Sequence, residues 1–442
     1  MKSVTTAYVK LWGHVVGAVT WLDNQGYALF EYEPGFLKEG LDLSPIYMGL
    51  AEARNGEVFS FPHGDRHTFH GLPGLLASGL PDRWGHRIID SWLNRHGRTP
   101  GSFNPVERLC YIGTRGMGAL EFAPQINPMT LNKSVPVELE GLMALVQEVM
   151  TERSKMDARV SGPDKEKARA MLDILRVGTS AGGAVPKAII AMNADGHIIS
   201  GQSNETPAGY DHWILKFDGV SEENPLGFGE PLENGRIEYA YYLMAEEAGI
   251  HMAECRLLEE NGRAHFMTRR FDRVGGEKIH VLSLACMAHF GWNPAGGYGY
   301  EDAFQVMRQI KLGYQDQEQQ YRRMVFNAVT KNLDDHTKNI SYTMDRDGVW
   351  RLSPAYDMTF SYCSEDLLGD RHKMKINGKQ KNFTISDFLT VAETIGINRA
   401  PEIIEQILDA VAQWPGFAEK AGVNKKAAKF VGGLHLDFES KK

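Results

Sequence analysis

Short apolar runs separated by turn residues open the chain: YVKLWG, VVGAVTW and YALFEY from Tyr8 to about Tyr32, broken at Gly13 and at Asp23-Asn24-Gln25-Gly26. Runs of that length bounded by Gly, Asn and Asp predict a small antiparallel sheet. From Phe69 to Pro124, loops rich in Gly and Pro alternate with one helix-like run, DRWGHRIIDSWLNRHG, in which Trp84, Ile88, Ile89 and Trp92 share a face. That stretch reads as a mixed unit. The polar segment from Asn127 to Lys167, with helix-like VELEGLMALVQEVM, marks a boundary between an N-terminal domain and the rest.

The pattern changes from Leu175. A glycine-rich turn leads into AIIAM and HIIS, joined by Asn193-Ala194-Asp195-Gly196, and then into HWILKFD. Strand alternation in the last puts Trp213, Leu215 and Phe217 on one face and Ile214 with Lys216 on the other. Ile237, Tyr241, Met244 and Ala248 recur at helical spacing in IEYAYYLMAEEAGI, and CRLLEE with HFMTRRFDR forms a predicted hairpin around Asn261-Gly262. Beyond it, EDAFQVMRQIK and YRRMVFNAVTKNL carry apolar stripes, with a short hairpin turning at Asp347-Gly348. The succession predicts an α+β chain that becomes mainly helical towards its C-terminus.

The 442 residues exceed what one core usually serves, so two or three packed units are expected. A formal charge of −8 argues against a chain that wraps nucleic acid unaided, and leaves DNA contact to a basic partner or a local patch. Cys110, Cys255, Cys286 and Cys363 are scattered and form no CxxC pair, as expected of reduced, mostly buried thiols. The N-terminal segment has no uninterrupted apolar stretch before a small-residue cleavage site, and no other stretch approaches a membrane span, so a cytoplasmic protein that avoids membranes is expected.

The chemistry concentrates in Asp334-Asp335-His336-Thr337-Lys338-Asn339, at the end of a helix-like run, and in Ser353-Pro354-Ala355-Tyr356-Asp357 beyond the following hairpin. Phosphoryl transfer needs one carboxylate for the attacking hydroxyl and an oxygen-rich pair to hold magnesium on the nucleotide phosphates. Asp334, Asn339 and Asp357 have the spacing and order that protein kinases use for those roles. Upstream, the loop from Gly178 to Lys187 is too irregular for a Walker motif, because Ala188 follows Lys187, but its glycines admit close approach of backbone N–H groups to phosphate. Lys216 is placed to reach phosphates, and Glu238 on the next helix to pair with it. Alone, each has a bland reading as a helix-end polar group, a tight turn or an edge-strand lysine. Their order along one chain is what argues for a nucleotide site. His63, His67 and His70 in FPHGDRHTFHG are spaced as metal ligands on a helix would be, but Pro62 and Gly64 disfavour a helix, and loop histidines near a domain seam explain them as well.

With TSAGGAVPK, the ILK strand, IEYAYYLMAEEAGI, RRFDR, DDHTKN and SPAYD in that order, the chain resembles the HipA family of serine/threonine kinase toxins from about Tyr8 to the C-terminus. The resemblance implies a protein-kinase-like two-lobed body behind a small N-terminal β-rich domain: residues 1–125 for that domain, 126–268 for the small lobe, 269–442 for the helical lobe. It implies ATP and magnesium as cofactors, with Asp334 as the catalytic residue and Asn339 and Asp357 as the magnesium ligands. Gly182, Gly183, Ala184, Val185, Pro186 and Lys187 match the nucleotide loop, Lys216 the phosphate lysine, and Arg269, Arg270 and Phe271 the segment joining the lobes beside the nucleotide. His336 and Lys338 fall within the catalytic-loop stretch that also touches nucleotide. Ser180 matches a serine that family members autophosphorylate, which ejects the loop and switches the enzyme off, and Thr179 is a rival acceptor.

The implied partners are a protein substrate, the family's known targets including an aminoacyl-tRNA synthetase, and a helix-turn-helix antitoxin of HipB type through which alone DNA is bound. Two departures stand out: Val185-Pro186 with adjacent glycines replaces the Gly-Ala-Gln-Glu form of the best-known member, and Arg269 stands where that protein has an acidic residue. A small-molecule phosphotransferase would need the same Asp, Asn and Asp. A regulatory module without catalysis is the non-enzymatic alternative, against which the intact Lys216, Asp334, Asn339 and Asp357 argue.

Overall fold

Gly13 and Gly26 adopt φ values of 89° and 71° and turn the three N-terminal apolar runs back on one another. The resulting strands, β1 (Thr6–Leu11), β2 (His14–Leu22) and β3 (Tyr27–Tyr32), form an antiparallel sheet that β4 (Leu120–Ala123) completes by returning beside β1, in the order β3-β2-β1-β4. Alternation does what the sequence predicts: Ala7, Val9 and Leu11 are buried, while Thr6 and Tyr8 face water. The computed structural model describes residues 4–95, 97–126, 131, 133–143, 146, 186–202, 206–219, 233–292, 296–362 and 370–438.

A second antiparallel sheet of five strands, ordered β6-β5-β7-β9-β8, comprises β5 (Lys187–Asn193), β6 (Ile198–Ser200), β7 (Tyr210–Lys216), β8 (Cys255–Glu260) and β9 (Arg263–Arg269). Asn261 and Gly262 both take positive φ, 49° and 76°, as the tight hairpin between β8 and β9 requires. Trp213, Leu215 and Phe217 are buried on one face of this sheet, as their alternation predicts. What covers them is less obvious from the sequence. Helix α1 (Arg83–Arg95), from the N-terminal third, packs its Trp84, Ile88, Ile89, Trp92 and Leu93 there, joined by Leu131, Leu139, Leu142, Met143 and Val146. A boundary at residue 125 therefore divides the chain but not the core. Helix α2 (Pro105–Ile112) opens with a capping box between Asn104 and Glu107 and leads to β4.

Helix α3 (Asn234–Glu247) packs against β8 and β9, and Gly235 lets it come close: a Cβ there would meet the Ala264 carbonyl oxygen at 2.2 Å. The chain then crosses to the helical part through a short ribbon, β10 (Arg273–Val274) with β11 (Glu277–Lys278). Strands β12 (His280–Ser283), β13 (Ser341–Met344) and β14 (Trp350–Leu352) form a small sheet, and Gly348 at φ 78° closes the predicted hairpin. Around it lie α4 (Tyr300–Gln309), α5 (Tyr314–Thr330), α6 (Ile385–Ile395), α7 (Ala400–Ala412), α8 (Trp414–Lys420) and α9 (Lys425–Gly432). This is an α+β, protein-kinase-like arrangement: a sheet lobe with one long helix on it, a helical lobe, and a β-rich N-terminal unit against both. Among the described residues no helix is long and apolar enough to cross a membrane, and Cys110, Cys255 and Cys286 are free and buried.

One buried carboxylate fastens the lobe junction. Asp272 accepts from Arg270 Nε and Nη2 at 2.9 and 2.7 Å, from Arg273 Nη1 at 2.8 Å and from the backbone N–H of Gly118 at 2.7 Å. The Asp272 and Arg270 side chains are wholly excluded from water. Burial alone would raise the carboxyl's pKa, but the two guanidinium groups outweigh it and hold Asp272 well below the usual carboxylate range.

Candidate active site

Strand β7 presents Lys216 on the face opposite Trp213 and Leu215, and α3 brings Glu238 over it one turn after Gly235. The Lys216 ammonium donates to Glu238 Oε1 and to Asp357 Oδ1, each at 2.5 Å. Three elements remote in sequence thus meet at one nitrogen. Burial opposes the charge on Lys216, yet Asp357 and Glu238 outweigh it and raise its pKa, so the ammonium persists. Burial likewise pushes Asp357 up, but Lys216, with Lys187 beyond it, holds the carboxyl down at about 2. For Glu238, burial and the Asp357 charge push upward against the pull of Lys216, and the net direction is up.

Helix α5 stops at Lys331, which takes φ 60°, and the chain enters the Asp334–Asn339 loop. The loop is tied internally: His336 N–H donates to the Asp334 carbonyl at 2.9 Å, Asn339 N–H to the His336 carbonyl at 2.9 Å, and Asn339 Nδ2 to the Asp334 carbonyl at 3.1 Å. That last bond commits the amide nitrogen of Asn339 and leaves Oδ1 for a cation. The Asp334 side chain is 54% exposed, with His336 Nε2 at 3.8 Å from Oδ2. The protein around the loop pushes its carboxyl upward, His336 and Lys373 pull it back, and the Asp357 charge adds to the rise; direct contact with water tempers the push. Asp357 sits in the left-handed region, φ 52°, at the far side of the hairpin, and Asn332 Nδ2 holds its carbonyl at 3.2 Å.

The other expected residues divide. Lys187 begins β5 directly opposite Lys216 in the β5–β7 register, and Pro186 accepts the Phe217 N–H at 3.2 Å, so the end of the glycine-rich loop lies beside the lysine strand. Gly182, Gly183, Ala184 and Val185 lie outside the described residues, as do Thr179, Ser180 and Cys363. Phe271 stacks obliquely on Tyr356, ring centroids 5.9 Å apart, next to Asp357. The side chains of Arg269 and Arg270 are engaged elsewhere: Arg269 pairs with Asp211 and Glu254, and Arg270 is occupied by Asp272. Lys338 lies over the Trp292 ring at 5.2 Å, and its carbonyl accepts from Tyr356 Oη at 2.6 Å. His63, His67 and His70 flank or form the helical turn Arg66–Phe69, which His70 ends at φ 52°.

Two family models cover most of the chain: the HipA N-terminal domain over residues 7–123 and the HipA-like C-terminal domain over residues 179–414. The chain belongs to the HipA family. Its fold is similar to that of the HipA chain in a solved complex from Shewanella oneidensis MR-1 of HipA, HipB and operator DNA, at 15% identity and a TM-score of 0.61, covering 97% of this chain and 94% of that one. A proinflammatory kinase of Helicobacter pylori, CtkA, aligns at 11% identity over 52% of this chain and 89% of its own, with a TM-score of 0.33, too low to argue from.

In this HipA-family chain the second acid of the Asp334–Asn339 loop, Asp335, has a separate task that sequence reading overlooks. It is 3% exposed and accepts from Tyr300 Oη at 3.0 Å, from Lys373 N–H at 2.9 Å and from Met374 N–H at 3.4 Å, with His372 Nδ1 at 3.0 Å. Asn327 Nδ2 donates to the same tyrosine oxygen at 2.9 Å, and Asn332 Nδ2 to Asn327 Oδ1 at 3.0 Å, which carries the chain of bonds on to Asp357. Asp335 thus clamps the segment around Lys373 to the Asp334–Asn339 loop. The only sequence signal was the doubled Asp, since His372 and Tyr300 belong to no motif. Asp335→Ala strands several buried donors and is expected to cost about 2–4 kcal/mol of stability, read from urea denaturation midpoints.

Proposed function

We propose that this protein is an ATP- and magnesium-dependent serine/threonine protein kinase, the toxin of a toxin–antitoxin pair. The observation that carries this reading is the Lys216 ammonium held between Glu238 and Asp357, with Asp334 and Asn339 on the adjoining loop. The residues fit the cofactors. Asp357, held ionised, and Asn339 Oδ1 would hold magnesium, which supplies neutralisation of phosphate charge when bound. Lys216 would meet the α- and β-phosphates, fixed for that task by Glu238. Lys187 and the loop before it, with His336, Lys338 and the backbone at Arg269, Arg270 and Phe271, would line the nucleotide.

Asp334 is the group left for the substrate. Its upward-shifted carboxylate orients the attacking hydroxyl and takes its proton as the new oxygen–phosphorus bond forms and ADP departs. Ser180 is the proposed autophosphorylation site: a phosphate of nearly two negative charges would not be tolerated beside nucleotide phosphates, so the modified loop would leave and the enzyme would stop. Protein incubated with ATP and magnesium is expected to gain 80 Da, one phosphate group by general chemistry at about that mass, at Ser180. Tandem mass spectrometry that finds phosphate only at Thr179 or elsewhere removes the switch.

For partners, the solved HipA neighbour is in complex with HipB and operator DNA, which supports a helix-turn-helix antitoxin of that type here and, with a net charge of −8, DNA binding only through it. The substrate is proposed to be a protein, in the class that includes aminoacyl-tRNA synthetases, and the site of action the cytoplasm. Phosphoproteomics after brief induction, wild type against Asp334→Gln, tests this. A protein phosphosite present only with wild type is expected, and its absence alongside a labelled small molecule would replace the protein-kinase reading.

A further inference from the structure

The N-terminal unit meets β5 at its first residue, Lys187. Asp82 caps α1 with Oδ1, which accepts the Gly85 N–H at 2.7 Å, and the next residue but one, Trp84, donates its indole N–H to the Lys187 carbonyl at 3.0 Å. The second carboxylate oxygen, Oδ2, is buried, has no hydrogen-bond partner among the described residues, and stands 3.5 Å from Lys187 Nζ. Both side chains are almost closed off, at 7% and 3% exposure. Burial pushes the Asp82 carboxyl up to about 6 against the pull of Lys187 and Lys338, which leaves it charged at neutral pH.

The surroundings explain why a carboxylate is needed there. Lys187 and Lys216 are directly paired across β5 and β7 and therefore project from the same face of the sheet. Lys216 has Glu238 and Asp357 as counter-charges, both within 2.5 Å. Lys187 has Asp82. A buried ammonium beside another cation sheds its proton or turns away unless a negative group holds it.

We propose that Asp82 is a positioning residue for nucleotide binding: from outside the two lobes, its carboxylate pairs with the Lys187 ammonium and holds it on the same face of the sheet as Lys216, so that the N-terminal unit completes the phosphate-binding surface. The inference rests on the kinase reading, specifically on Lys187 meeting phosphate. It also gives the N-terminal unit a part in the chemistry beyond docking.

Asp82→Asn separates the charge from the cap, because the amide oxygen can still accept from Gly85. Calorimetric titration of the full chain with Mg·ATP, alongside thermal melts, is the test. Lys187→Met and Asp82→Asn are each expected to weaken binding by about tenfold, Asp82→Glu to restore most of it, and the Asp82→Asn/Lys187→Met pair to be no worse than Lys187→Met alone. Where the single Asp82→Asn chain does not fold, the double variant, which buries no unpaired ammonium, is compared with Lys187→Met alone, and a further loss of binding in the double variant overturns a role exercised through Lys187. If Lys187→Met weakens binding while Asp82→Asn leaves it unchanged or tightens it, the positioning role is overturned and the nucleotide site stands. If Lys187→Met has no effect, the inference falls with that lysine's assignment. If the wild type binds no Mg·ATP, the kinase reading itself fails.

Discussion

Asp334→Asn is expected to lower phosphoryl transfer by about 10²–10⁴-fold while the melting temperature stays within a few degrees of wild type. The side chain is more than half exposed, and the backbone that shapes its loop is held by the Asp334 carbonyl, which the substitution keeps. Little of the fold depends on the carboxylate, whereas the attacking hydroxyl has no comparable acceptor nearby: Asp335 is committed to Tyr300 and the Lys373 backbone, and Asp357 to Lys216. Mg·ATP affinity should change little, because the proposed magnesium ligands, Asn339 and Asp357, remain. Initial-rate kinetics with a direct binding titration read both quantities. A variant that kept full transfer would show that another group takes the proton.

Asp272→Ala is expected to cost about 3–5 kcal/mol, the largest stability loss of any single substitution considered. It leaves Arg270, fully buried, and Arg273, nearly so, without their shared carboxylate, and frees the Gly118 N–H that joins the N-terminal unit to the lobe junction. The pH dependence follows from the sign of the shift. Asp272 has its folded pKa depressed by the two arginines, so its contribution is fully present above the unfolded value of about 4 and is lost as pH falls towards the folded value. Denaturation midpoints taken between pH 3 and pH 7 should therefore keep a constant gap between wild type and variant above about pH 5, and the gap should begin to narrow towards pH 3. A gap that stayed constant down to pH 3 would mean the arginines are stabilised by something else.

The local elements were legible because their signals are local. Asn261-Gly262 and Gly348 mark turns by backbone conformation, Trp213, Leu215 and Phe217 by alternation, and α3 and α5 by helical spacing, and all adopt the expected form. Lys216, Glu238 and Asp357 were legible through their order, and they meet. What the sequence hid depends on partners far away along the chain. The apolar face of α1 was plain, but nothing in DRWGHRIIDSWLNRHG says that it covers a sheet beginning at Lys187. The resemblance matched Arg270 to the segment joining the lobes beside the nucleotide, while its guanidinium belongs to Asp272 two residues on. Asp82 escaped notice because an isolated acid has no pattern, and the task of Asp335 because the doubled Asp says nothing of its partners. Their meaning lies in Lys187 and in the Lys373 segment, which only folding brings near.

The account stands or falls on whether these side chains transfer the terminal phosphate of ATP to a protein hydroxyl. Purified protein supplied with γ-labelled ATP, magnesium and a cell extract, then separated into protein and small-molecule fractions, gives the answer directly. Label on serine or threonine of protein, lost with EDTA and with Asp334→Asn or Asp357→Asn, is the predicted result. Label that persists in the Asp334→Asn reaction, or that appears solely in the small-molecule fraction, would contradict it.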